Sequence, residues 1–297
     1  MEVYDRMDRL PSFRKTRIAP TPSGYLHLGN ALSFLVTASL ARTTGARIFL
    51  RIDDLDGQRA RPGYVQDIFD TLRFLQIGWH EGPRSPEECE ARYAQIHRLE
   101  LYRRALEQLR EGGHLFACTC SRADILRINP DGTYPGTCRD KEIPLDRAGV
   151  SWRLHTDPVT PLRVNHPDGS VTTAVLPGSV HYFVVRKKDG LPAYQLTSLV
   201  DDLHFGVDLV VRGADLWPST LAQLYLASVL RQPRFAETSF YHHPLLKDAY
   251  GQKLSKSAGA PSIRHLRHNG RGLADLFELI AQAHDIEEWT GTRFSAS

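Results

Sequence analysis

The first third of the chain switches repeatedly between short apolar runs and longer stretches with apolar residues at helical spacing. An apolar run over 14–19 predicts a strand, which leads through "TPSGYLHLGN" (21–30) into "ALSFLVTASLART" (31–43), a helix ending before Gly45. "ARIFLRI" (46–52) predicts a second strand, and "PGYVQDIFDTLRFLQ" (62–76) a helix with Pro62 in its first turn, where a missing N–H is harmless. "YAQIHRLELYRRALEQLREGG" (93–113) predicts a further helix with glycines past its end. Alternation of this kind predicts an α/β fold built on a parallel, doubly wound sheet.

The pattern changes over 114–180, where prolines, Cys118, Cys120, Cys138 and short strand-like runs such as "VSWRLH" and "VTTAVL" cluster. This segment is expected to be an insertion with its own small structure. Alternation resumes with "YFVVRKKDG", "AYQLTSLVDDL", "DLVVRG" and a helix over 219–230. The expected division is therefore 14–113 and 181–250 as two halves of one sheet domain, 114–180 as the insertion, and 251–297 as a loop with a short C-terminal helical segment.

Composition narrows the class without naming a function. At 297 residues, 41% hydrophobic and 24% charged, the chain reads as an ordinary globular protein of about two domains. No apolar run reaches the ~18 residues of a membrane span. The start, "MEVYDRMDRLPSFRK", lacks the apolar core of a secretory signal, so a cytoplasmic protein with reduced cysteines is expected. The net charge of +3 is uninformative, but 231–271 carries eight Lys or Arg against Glu237 and Asp248. Such an excess suits either a polyanion or a solvated basic surface.

Two loops carry the candidate chemistry. In a parallel sheet, ligands bind where strand carboxyl ends meet helix amino-termini, and the 21–30 loop should lie there. Free backbone N–H groups at the helix start favour a phosphate, and Gly24 and Gly29 let the backbone approach it. His27 could add a hydrogen bond to a phosphoryl oxygen. "GQKLSKSAGA" (251–260) places Lys253 and Lys256 among small residues, which suits a loop that closes over a triphosphate.

In this order, "HLGN" (27–30) and "KLSKS" (253–257) resemble the HIGH and KMSKS signatures of class I aminoacyl-tRNA synthetases. "TRIAPTPSGYLHLG", "LRIDDLD" (50–56), "DGLPAYQLTSLVDD" (189–202), "VVRGADL" (210–216) and "GQKLSKS" further resemble glutamyl-tRNA synthetase blocks. Those enzymes continue into a large helical anticodon-reading domain. A shorter chain with a cysteine cluster is similar to the glutamyl-Q tRNA(Asp) synthetase family, which activates glutamate with ATP and attaches it to the queuosine base of tRNA(Asp). The resemblance implies a Rossmann-type catalytic domain, no anticodon-binding domain, no membrane association and a monomer.

It also implies roles. Arg17 and Arg212 would face the substrate glutamate, with Tyr194, Thr21 and Ala19 lining it. Asp53 stands where the family has a glutamate that holds the substrate ammonium; the charge is kept on an arm one methylene shorter. His27, Gly29 and Asn30 would contact ATP, and Lys253 and Lys256 its phosphates during transfer, with Mg²⁺ accompanying the nucleotide. As residues alone, either arginine could instead form a structural ion pair. Asp54 and Asp56 suit capping or solvated turns, and Asn30 suits a polar residue at a helix start.

"CTC" (118–120) followed by "YPGTC" (134–138) can supply three thiolates, Cys118, Cys120 and Cys138, to a tetrahedral zinc. The resemblance implies Tyr134 as fourth ligand; His114 and Asp140 are the fallbacks. Such a zinc would be structural and would pin an insertion that meets nucleic acid. Cys89, in "PEECEAR", reads as an unrelated surface thiol. Competing readings are a short synthetase for another amino acid or acceptor, a nucleotidyltransferase, and an inactive zinc- and RNA-binding relative.

Overall fold

The computed structural model describes residues 10–55, 61–246 and 262–282. Lys253, Lys256 and Asp56 lie outside the described residues. The main sheet has six strands in the order β2–β1–β8–β9–β5–β6, where β1 is Lys15–Ile18, β2 Arg47–Leu50, β5 Leu162–Asn165, β6 Val171–Ala174, β8 Leu209–Gly213 and β9 Ser239–His243. The first five run parallel. Strand β6 is antiparallel to β5 because the connection is one tight turn, closed by His166 N–H to Ser170 C=O, too short for a crossover.

Helices cover both faces, as the alternating pattern predicts. Leu209 and Val211 of β8 enter one core, built on α1 (Leu28–Thr44) and α2 (Pro62–Phe74). Val210, one residue out of phase, enters the other, built on α3 (Leu99–Glu111), α5 (Tyr194–His204) and α6 (Trp217–Val229). Helix α1 ends at Gly45, whose φ of 74° supplies a left-handed cap. Two C-terminal helices, α7 (Ile263–His268) and α8 (Leu273–Gln282), close the first core. No helix of the described residues is long and apolar enough to cross a membrane.

The span 114–180 divides rather than standing as one insertion. Its first part forms a separate antiparallel sheet, β3 (Leu115–Cys118), β4 (Ser151–Leu154) and β7 (Val184–Arg186), with α4 (Arg122–Ile128) between β3 and β4. Its second part, β5 and β6, extends the main sheet, while β7 comes from beyond residue 180. Short apolar runs carry no mark of which sheet they join. Residues 93–98 also depart from the expected helix: they make π- and 3₁₀-type turns before α3. Tertiary bonds hold them there, since Gln95 N–H donates to Asp54 Oδ1 at 2.8 Å and the Arg98 guanidinium to Tyr93 C=O at 2.7 Å.

Candidate active site

The loop 19–27 leaves the carboxyl end of β1 and turns into α1, so its backbone meets the helix N-terminus at the sheet edge where ligands bind. His27 is the N-cap, and its Nδ1 accepts from Gly29 N–H at 3.1 Å. Asn30 Oδ1 reciprocates by accepting from His27 N–H at 3.1 Å, which completes a capping box. Because Nδ1 is the acceptor, the neutral ring carries its proton on Nε2. Gly29 leaves room for this fold-back: a Cβ there would lie 3.1 Å from His27 Cε1, so the ring would have to shift by a few tenths of an ångström. Asn30 is therefore a helix-start residue, as its amide suggests.

A cavity of about 640 Å³ opens beside this helix start. Arg17, Ala19, Thr21, Asp53, Tyr194 and Arg212, all expected from the sequence, line it together with His27 and Asn30. A second cavity of about 260 Å³ adjoins it, sharing His27, Asn30, Ser33, Gly213 and Leu216, and is lined by Gly29 as well. Two adjoining compartments that share the capping histidine suit two reactants meeting at one point.

The charges around the larger cavity are arranged unevenly. Arg51 donates from Nε to Asp53 Oδ1 at 2.6 Å and from Nη1 to Asp202 Oδ1 at 2.6 Å. Asp53 is thus held bidentately along one edge of the guanidinium, with Nη2 to Oδ2 at 3.2 Å. Burial raises the Asp53 carboxyl above its ordinary range, and Arg51 opposes that rise. Behind this pair, Asp201 accepts from Arg98 at 2.8 and 3.0 Å and from Tyr102 Oη at 2.7 Å. Arg17 donates to Val211 C=O at 3.0 Å and lies 3.4 Å from Asp202.

Arg212 differs from all of these. It is 3% exposed, and its partners are the neutral oxygens Thr220 Oγ1 at 3.3 Å and Gln223 Oε1 at 3.0 Å. Burial lowers its guanidinium to about 10; the neighbouring Arg17 and Arg51 press the same way, and Tyr194 and Asp202 oppose them only in part. A group at that value is still charged at neutral pH.

Sequence reasoning passed over Arg51, Asp201, Asp202 and Arg98. The available signal was charge inside apolar runs, "IFLRID" and "SLVDDL", where a buried ion must find a partner. Of the two expectations for Asp54, a capping or a solvated turn residue, the structure shows the capping contact: its carboxylate accepts from Gln95 N–H at the start of the 95–98 turn, and burial raises it. Cys89 is no surface thiol. It is 2% exposed in the α1–α2 core, and burial, seconded by Asp54, pushes its thiol up to about 12.

The basic excess over 231–271 is partly structural. Arg264 lies over the Tyr25 ring at 4.5 Å, and Arg267 pairs with the buried Asp67 at 2.6 Å. Asp67 also accepts from Leu26 N–H at 3.0 Å, and Ile263 N–H donates to Leu26 C=O at 2.8 Å. Helix α7 is thereby fixed against the loop that carries His27.

The sulfurs of Cys118, Cys120 and Cys138 lie within 4.8 Å of one another, with Cys120 and Cys138 at 3.6 Å. Thiolates on a tetrahedral zinc, each at about 2.3 Å, would be roughly 3.8 Å apart, so the cluster has the right size. The Tyr134 oxygen accepts from Cys138 N–H at 2.9 Å and faces Cys118; burial raises its phenol, while the Arg153 guanidinium sits 3.7 Å over the ring. The fallback residues do not join the cluster: Asp140 pairs with Arg139 at 2.9 Å, and His114 is not among the grouped ligands.

Comparison with known proteins places the chain in a family. The family model for tRNA synthetases class I (E and Q), catalytic domain, matches residues 14–143 and 157–282. A glutamyl-Q tRNA(Asp) synthetase of Symbiobacterium thermophilum is 40% identical over 271 residues, covering 86% of this chain and 81% of that protein. Another, from Dechloromonas aromatica, is 35% identical, covering 94% of this chain and 93% of its own. Among solved structures, a glutamate-tRNA synthetase of Elizabethkingia anophelis superposes with a TM-score of 0.70 at 22% identity, covering 95% of this chain and 68% of that one. The last likeness concerns the fold.

Proposed function

Because the chain belongs to the glutamyl-Q tRNA(Asp) synthetase family, within the class I synthetases for glutamate and glutamine, we propose that it activates L-glutamate with ATP and transfers it to the queuosine base of tRNA(Asp). The observation that carries the amino-acid assignment is Arg212, a buried cation that lines the cavity and whose hydrogen-bond partners among the described residues are the neutral Thr220 and Gln223. An anionic side chain is the ligand such a group lacks.

In activation, a carboxylate oxygen of glutamate attacks the α-phosphorus of ATP and forms a new P–O bond. The bond to the bridging β-phosphate oxygen breaks, and pyrophosphate leaves. No side chain need act as nucleophile; alignment and charge neutralisation suffice. Arg212 and Arg17 take the side-chain carboxylate, Tyr194, Thr21 and Ala19 line the amino acid, and Asp53, held by Arg51, accepts from the ammonium. His27 donates from Nε2 to a phosphate oxygen, beside the amides of Gly29 and Asn30 at the helix start. Lys253 and Lys256 neutralise phosphate charge during transfer, and Mg²⁺ enters with ATP.

Cys118, Cys120 and Cys138, with Tyr134, would hold a zinc ion that cross-links β3 to the 134–138 turn and stiffens the surface offered to tRNA. The metal takes no part in the chemistry.

ATP–pyrophosphate exchange tests the first half of this reading. Exchange that requires glutamate and proceeds without tRNA supports it, and exchange with a different amino acid alone refutes it. Incorporation of labelled glutamate into tRNA(Asp) with and without queuosine tests the second half. Equal labelling of both tRNAs would exclude the modified base as acceptor.

A further inference from the structure

The partners of Arg212 form a relay whose direction is set by chemistry. A guanidinium only donates, so Gln223 must present its amide oxygen, as it does at 3.0 Å. Its NH₂ then faces away and donates to Gln195 Oε1 at 3.2 Å. Gln195 in turn donates to Ser219 Oγ at 3.0 Å. Gln223 is fully buried on α6, so no water can take over a lost contact cheaply. The other partner, Thr220 Oγ1, also contacts His242 Nε2 at 2.8 Å. Burial and the adjacent Arg212 hold the His242 imidazole down to about 3, so it is neutral as well. The guanidinium is further seated over the Phe240 ring at 5.7 Å, and its Nε has no hydrogen-bond partner among the described residues.

We infer that Gln223 is a positioning and specificity-determining residue: it aims Arg212 through a neutral oxygen and so leaves the full positive charge for the acidic side chain of the substrate. This rests on the reading that Arg212 receives the glutamate side chain. A carboxylate at position 223 would hold the guanidinium equally well but would satisfy its charge inside the fold. The pocket would then lose its reason to prefer glutamate over glutamine, which has the same shape and no charge.

The test is steady-state ATP–pyrophosphate exchange by the full chain and its Gln223→Glu and Gln223→Met variants, with glutamate and glutamine as separate substrates. Gln223→Glu is expected to raise the glutamate KM by at least ~30-fold, with the ATP KM within about twofold of the parent, in line with loss of one desolvated charge pair. Its preference for glutamate over glutamine in kcat/KM should fall by about 100-fold or more. Gln223→Met removes the aim but adds no charge. It should raise the glutamate KM by roughly 5-fold and leave the preference within about threefold, as expected for one lost hydrogen bond.

An unchanged glutamate KM in Gln223→Met overturns the inference, even where Gln223→Glu does not fold. So does a parallel rise of both KM values in the two variants, the mark of a merely structural role. A parent chain with no glutamate-dependent exchange overturns the functional reading and this inference with it.

Discussion

Of the three buried arginines that line one cavity, Arg51 and Arg212 are treated in opposite ways. Burial alone would lower the Arg51 guanidinium, but Asp53, Asp202 and Asp201 outweigh that penalty and hold it well above its ordinary value. Arg212, equally buried, donates among the described residues to neutral oxygens, and burial outweighs the more distant pull of Tyr194 and Asp202, so it is held down to about 10. The first charge is settled within the fold and serves as scaffold. The second remains unsettled and is available to a ligand. Residue type and burial are the same, so only the partners distinguish structure from recognition.

The sharpest way to break this comparison is to remove each cation. Arg212→Met should cut glutamate-dependent exchange by on the order of 10³-fold or more. It should also melt no lower than the parent. The sign follows from the depressed value: the cation is disfavoured in the folded state at every pH below about 10, and that cost fades as pH rises through it, so at neutral pH its removal relieves the fold. A clear fall in Tm would contradict the account. Arg51→Met should do the reverse to stability, leaving Asp53 and Asp202 buried without their partner. Urea unfolding should show a loss of about 3–5 kcal/mol, and a loss below ~1 kcal/mol would remove the distinction.

The cysteine cluster is grouped with Arg212, since its three thiols lie close enough together to hold one ion. Cys138→Ala should lower zinc content and reduce Tm by roughly 5 °C, which for a chain of this size corresponds to a couple of kcal/mol. Exchange should change less than about threefold, because the site stands apart from the cavity. Unchanged metal content and Tm would count against zinc. The smallest effect is expected at Asn30, a residue satisfied internally. Asn30→Ala should cost about 1 kcal/mol of stability through the lost cap and slow exchange modestly by loosening His27.

Much of this was legible in the residues themselves. The helix boundaries at Pro62 and Gly45 follow from one missing N–H and one left-handed φ, both local properties. The cavity residues Arg17, Thr21, Tyr194 and Arg212 were reached through blocks that resemble the glutamyl synthetases, and the fold brings them to strand ends and a helix start around one cavity. By contrast, Cys89 was misjudged because "PEECEAR" is charged on every side, and its turns bury the thiol while exposing its neighbours. The sheet joined by β5 and β6 was equally hidden, because a short apolar run pairs with whichever edge tertiary packing offers.

The sequence by itself determined the order of most elements, the 19–27 loop at the carboxyl end of β1 and the presence of cations near it. Those are properties of spacing and of residue chemistry, and they survive without neighbours. Only the tertiary structure decided which charges neutralise one another. Asp202 lies 151 positions from Arg51 and holds it at 2.6 Å, whereas Gln223, eleven positions from Arg212, holds that guanidinium without cancelling it. Charge pairing depends on distance and desolvation in three dimensions, and neither is written in the one-dimensional pattern.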